Sequence, residues 1–120
     1  MEISIKRAYE APSPEDGYRV LVDRLWPRGV SKERAKLDAW LRAVTPSHEL
    51  RKWYHANLSR WEEFRERYLA ELEAAEEAEG ALRSLAQRAG DGRVTLVTGA
   101  KNERNHAVVL KECLEQMASK

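Results

Sequence analysis

Arg19-Val20-Leu21-Val22-Asp23-Arg24-Leu25-Trp26-Pro27-Arg28-Gly29 is the stretch on which the fold turns. An apolar, β-branched run ends within seven positions in an acid, two arginines, a tryptophan, a proline and a glycine. That order describes a buried strand, read over Tyr18–Arg24, opening into a rigid cationic loop. A second run of the same kind, Val94-Thr95-Leu96-Val97-Thr98, lies far downstream and exits through Gly99–Asn102. Helical periodicity dominates between them, so the two strands are expected to be adjacent and parallel, joined by a right-handed helical crossover.

Around this pair the remaining elements fall into place. Ile3-Ser4-Ile5-Lys6-Arg7 alternates and reads as a further strand. Two prolines and Gly17 make residues 11–17 a loop. Ser31 offers a helix cap, and Leu37, Trp40, Leu41 and Val44 follow at helical spacing. Pro46 favours a new helix over about 47–55. Ser59-Arg60-Trp61-Glu62 has the Ser-x-x-Glu capping-box pattern, and Trp61, Phe64, Tyr68, Leu69, Leu72 and Ala75 form one apolar stripe. Gly80 is expected to interrupt that helix, and a further one continues through Leu82, Leu85 and Ala86 to Gly90-Asp91-Gly92. The last helix is read from about Glu103 to Met117, with Ala107, Leu110, Leu114 and Met117 inward. The sum is one α/β domain over residues 1–120, with a mostly parallel sheet of about three strands flanked by several helices.

Composition narrows the function classes. Of the 120 residues 42% are hydrophobic, four are tryptophan and the net charge is +1, which excludes a disordered chain and a strongly basic nucleic-acid binder. The charge is uneven: residues 1–60 carry twelve Lys/Arg against eight Asp/Glu, and residues 61–120 carry nine against twelve. No apolar run is long enough for a membrane span. The first residues lack the basic-then-apolar order of a signal peptide, and Cys113, as the single cysteine, allows no internal disulfide. The expectation is a cytoplasmic protein without membrane partners.

Parallel strands open at the same edge of a sheet, and α/β proteins bind ligands there. Asp23, Arg24 and Arg28 are thereby expected beside Lys101, Asn102 and Asn105, next to the N–H groups of a helix start that favour anions. The set predicts a site for a small phosphate, sulfate or carboxylate-bearing ligand, with Arg24, Arg28, Lys101, Asn102 and Asn105 as binding residues. Asp23 reads equally as a general base or as the structural partner of an arginine. Trp26 and Pro27 read as packing, Asn102 as a helix cap, and Asn105 as the more suggestive amide. His55 and His106 lack a second ligand at metal spacing, Cys113 sits among apolar neighbours as an inert thiol, and the Glu-rich face of 62–79 reads as solvated. Neither a metal nor a cofactor is expected. The basic N-terminal half keeps a nucleic-acid accessory module open as an alternative, and an adaptor without catalysis as another.

Several of these residues also carry a resemblance. Lys6-Arg7, the string Gly17–Gly29 with its Asp23-Arg24-Leu25-Trp26-Pro27-Arg28-Gly29 core, and Pro46-Ser47 with Glu49–Trp53 are similar to the YeaO-like proteins, domain-of-unknown-function family 488. So are Phe64-Arg65, Tyr68–Leu72, Thr95-Leu96, Ala100-Lys101-Asn102, Asn105-His106-Ala107 and Val109-Leu110. The resemblance spans nearly the whole chain. It implies a small bacterial or archaeal cytosolic α/β protein and names no reaction. The segment between Asn102 and Asn105 is a residue shorter than the family's usual pattern, which bears on where Asn105 points.

Overall fold

The computed structural model describes residues 2–118. Four parallel strands form its sheet: β1 (Glu2–Arg7), β2 (Tyr18–Leu21), β3 (Ala39–Trp40) and β4 (Arg93–Thr98), in spatial order β1-β4-β2-β3. The helices are α1 (Lys32–Ala35), α2 (His48–Ala56), α3 (Trp61–Ala74), α4 (Glu76–Asp91) and α5 (His106–Ala118), with short 3₁₀ turns at Pro14–Asp16 and Arg42–Val44.

The two apolar runs are neighbours as expected. Val20 faces Leu96 and Leu21 faces Val97, and one more bond beyond the strand, from Val22 N–H to the Val97 carbonyl at 3.0 Å, carries the pairing to the threshold of Asp23. β4 is central and buried from Val94 to Thr98, as the β-branched run requires. Pleating sends Val20, Val22, Val94 and Leu96 to one face, where α2 to α5 supply Leu50, Phe64, Tyr68, Leu82 and Leu110. Leu21 and Val97 point the other way, against Ala8, Trp26 and Trp40. Gly17 is required where the chain enters β2: its φ is +66°, and a Cβ there would meet the Arg93 carbonyl at 2.3 Å.

The expected stripe forms one buried row, with Trp61, Phe64, Tyr68 and Leu72 inward; Leu69 is partly buried and Ala75 is exposed. Phe64 stacks on Tyr54 with ring centroids 4.2 Å apart, and the Tyr68 hydroxyl donates to the Val44 carbonyl.

Five larger differences from the sequence reading stand out, the first being that β2, read to Arg24, ends at Leu21. Residues 37–44 do not continue a helix. Lys36 turns left-handed at φ 46° and ends α1, after which Asp38 and Leu41 pair with the open edge of β2 through Asp38 N–H to the Arg19 carbonyl (2.8 Å) and Leu41 N–H to the Leu21 carbonyl (2.9 Å). An unpaired row of backbone groups outcompeted helical periodicity, and Trp40 became a strand residue. Ser59 is no cap: the residue before α3 is Arg60, which caps with no side-chain bond, while a capping box forms instead between Ser13 and Asp16. Gly80 lies inside α4, and the break falls at Ala75 (φ −105°, ψ 108°). The last helix begins at His106, not Glu103, because Asn105 caps it. No helix among the described residues is long and apolar enough to cross a membrane.

Candidate functional site

Beyond the C-terminal ends of β2 and β4 lies a cleft of about 680 Å³, walled by α2, the loop after Asp23, residues 99–102 and the first turn of α5. At its back sits Asp23, held from three sides. The Thr98 hydroxyl donates to Oδ1 at 2.7 Å, the Gly99 N–H donates to Oδ2 at 2.7 Å, and His106 Nε2 lies 3.1 Å from Oδ1. A Cβ at Gly99 would come within 3.3 Å of Oδ2, so a residue with almost no side chain lets the backbone approach the carboxylate. The Asp23 carbonyl in turn accepts from Trp40 Nε1 at 2.6 Å. Burial pushes the Asp23 carboxyl up, but hydrogen bonds from His106, Gly99 and Thr98 outweigh it and hold the group below the usual carboxylate range.

His106 Nε2 also lies 2.9 Å from the Val22 carbonyl. Both neighbours are acceptors, so Nε2 carries the proton and Nδ1 is the basic nitrogen of the neutral ring. An oriented carboxylate–imidazole pair of this form can hold or accept a proton at Nδ1.

The rest of the wall is partly apolar and partly cationic. Arg24, Arg51, Lys52 and Lys101 line the cleft, together with all three histidines of the chain, His48, His55 and His106. Asp23 is the one carboxylate among the lining residues. Whereas Lys6, Arg19, Arg65 and Arg93 each pair with an acid, none of these four Lys/Arg residues forms an ion pair among the described residues. Arg51 Nε is buried without a hydrogen-bond partner, the single such side-chain atom among the described residues. A buried, unsatisfied donor of a charged group is costly.

The expected residues are placed as follows. Asp23, Arg24, Lys101, Asn102 and Asn105 all line the cleft; Arg28 is exposed and does not. Trp26 packs edge-on against Trp40 at 5.5 Å, and Pro27 is buried. The two asparagines exchange the roles read for them. Asn105 Oδ1 accepts from Ala107 N–H at 2.9 Å and its amide donates to the Asn102 carbonyl at 2.8 Å, so Asn105 is the helix cap. Asn102 donates to the Arg104 carbonyl, bracing the loop. The N–H groups of Ala107 and Val108 are both satisfied by Asn105, so this helix start offers an anion less than expected. Cys113 is half-buried, with its thiol pushed up by burial, in keeping with an inert group. No group of His, Cys, Asp and Glu suited to a metal occurs among the described residues.

Arg51, Lys52 and His48 are absent from the sequence reading of the site, which weighs His55 and His106 only as metal ligands, although His48, Arg51, Lys52 and His55 recur at intervals of three and four. That spacing marks one basic face of α2. Nothing in the local sequence points His106 at Asp23, a contact between residues 83 positions apart.

The family described as the inactive DUF488-N3 subclade matches residues 2–120. The chain is 48% identical over 118 residues to the Uncharacterized protein YeaO of Escherichia coli (strain K12), covering 98% of this chain and 100% of that one. It is 42% identical over 113 residues to the Uncharacterized protein Rv3073c of Mycobacterium tuberculosis (strain H37Rv), covering 93% and 92%. No solved structure matches it. The protein belongs to the YeaO-like DUF488 family, within its inactive N3 subclade.

Proposed function

We propose that the cleft binds a small oxyanion-bearing ligand, of which phosphate is the simplest form, and holds it without turning it over. The observation that carries this reading is the set of four cations without an ion pair that line the cleft with a single carboxylate, itself already accepting from three donors. Arg51 and Lys52 line the cleft from α2, and Arg24 and Lys101 from the two strand ends. Charge-assisted bonds from such groups are the strong ones, and they gain in a partly desolvated cleft. Asp23 serves to lock His106 and the Gly99 turn, and its one negative charge offsets only one of the four cations. The description of the subclade as inactive favours binding over catalysis. The lone thiol suits a reducing compartment, and we place the protein in the cytoplasm.

Titration calorimetry with inorganic phosphate at low salt tests this. The parent protein should bind, and Arg51→Ala and Lys101→Ala should each weaken binding by about tenfold, the scale of one lost charge-assisted contact. Arg28→Ala, outside the cleft, should bind as the parent does. Absence of binding at millimolar phosphate would overturn the reading. A duplex oligonucleotide bound instead, with affinity falling steeply in salt, would assign the basic surface to nucleic acid.

A further inference from the structure

The geometry points to a ligand with two unlike ends, and we propose that it is a phosphate monoester carrying an apolar, ring-sized organic group; this rests on the anion-binding reading above. The cleft's 680 Å³ lies within the range of small-molecule sites and is far larger than a bare oxyanion. Its cations also call for more than one negative charge. Asp23 offsets one of the four charges of Arg24, Arg51, Lys52 and Lys101, and the excess that remains suits a dianionic head better than a monoanion.

The second end is written in the leucines. Among the described residues the exposed large hydrophobic side chains are Tyr9, Leu25 and Leu58, and two of these three line this cleft. Leu25 is 71% exposed and Leu58 51% exposed, one from the loop after β2 and the other from the turn between α2 and α3. Below them the buried Tyr54–Phe64 stack closes the floor. Water-facing leucines beside a cationic wall are complementary to a molecule whose apolar part lies between them while its phosphate meets Arg51 and Lys101. A bare oxyanion would leave both leucines wet.

Phenyl phosphate and inorganic phosphate, compared by calorimetry on the whole chain, test this. The parent should bind phenyl phosphate about tenfold or more tighter, the scale of partial burial of one ring and two leucine side chains. The double variant L25S/L58S changes two exposed positions, so it should fold as the parent does by near-ultraviolet circular dichroism. It should lose most of that advantage while keeping its affinity for inorganic phosphate. Equal affinities in the parent, or an undiminished advantage in the variant, would overturn the proposal and leave the anion site standing. Binding of neither compound would overturn both. Sedimentation showing that L25S/L58S converts a parent dimer to monomer would assign the leucines to a subunit contact and overturn the organic-group end.

Discussion

The two ends of the sheet each gather charge, and they treat it in opposite ways. Near the start of β2, Arg19 is buried at 4% exposure and each of its three side-chain nitrogens donates: Nη1 to Asp16 at 2.6 Å, and Nε and Nη2 to the Ala35 carbonyl at 3.1 and 2.8 Å. Asp16 also accepts from Lys6 Nζ and the Ser13 N–H, and its carbonyl accepts from Thr95. At the far edge, Asp23 also accepts from three donors, yet the four cations that line the cleft with it form no ion pair among the described residues. A buried arginine with all three nitrogens bonded is architecture: it ties the loop before β2 to the end of α1. The cations left without an ion pair around the cleft are the groups that the proposed anion would meet. The difference between the two ends lies in the balance of donors and acceptors, not in how many charges are present.

The largest effect belongs to the saturated end. Arg19→Met removes one partner of a buried pair and strands Asp16, which should cost about 3–5 kcal/mol in urea denaturation. A loss below about 1 kcal/mol would erase the contrast, because the cluster would then be no more structural than a surface pair.

At the cleft, Asp23→Asn weakens three charge-assisted bonds without emptying the space. It should cost about 1–3 kcal/mol by the same measurement and loosen His106, seen as displaced ring resonances by NMR. An unchanged stability would show that Asp23 is held for function alone.

Acid should unbalance both ends together. The carboxyls of Asp16 and Asp23 are each held below the usual range: burial raises them, but hydrogen bonds outweigh it, from Ser13, Lys6 and Arg19 for Asp16 and from His106, Gly99 and Thr98 for Asp23. A carboxyl depressed in the folded state binds its proton more readily when unfolded, so its stabilisation is present above the unfolded value, about 3.9, and lost as pH falls toward the folded value. Urea midpoints should therefore stay level down to about pH 5 and drop below about pH 4, with a shallower drop in Asp16→Asn. A variant falling as steeply as the parent would place the acid sensitivity elsewhere.

The smallest effect sharpens the contrast most. Lys101→Ala should change stability by no more than about 0.5 kcal/mol, as surface substitutions do, while lowering phosphate affinity. Arg28→Ala should change neither. If Lys101→Ala destabilised the fold instead, the unmatched cations would be structural and the two ends alike.

Local sequence determined the parts whose physics is local or strongly periodic. Two apolar β-branched runs separated by helical pattern dictated a parallel pair, because a right-handed helical crossover is the short route between such strands. The Trp61–Leu72 stripe dictated which face of α3 is buried, and the string from Asp23 to Gly29 located the edge where a site forms. Tertiary structure decided what depends on partners distant in the chain. Trp40 became a strand residue since β2 had an open edge to satisfy, and Asn105 became a cap since α5 starts at His106. Arg51 and His106 entered the cleft, and Arg28 stayed outside it, through the packing of α2 and α5 against the sheet. Hydrogen-bond saturation joins groups as far apart as Asp23 and His106, and only the folded chain shows which donors are spent and which are left for a ligand.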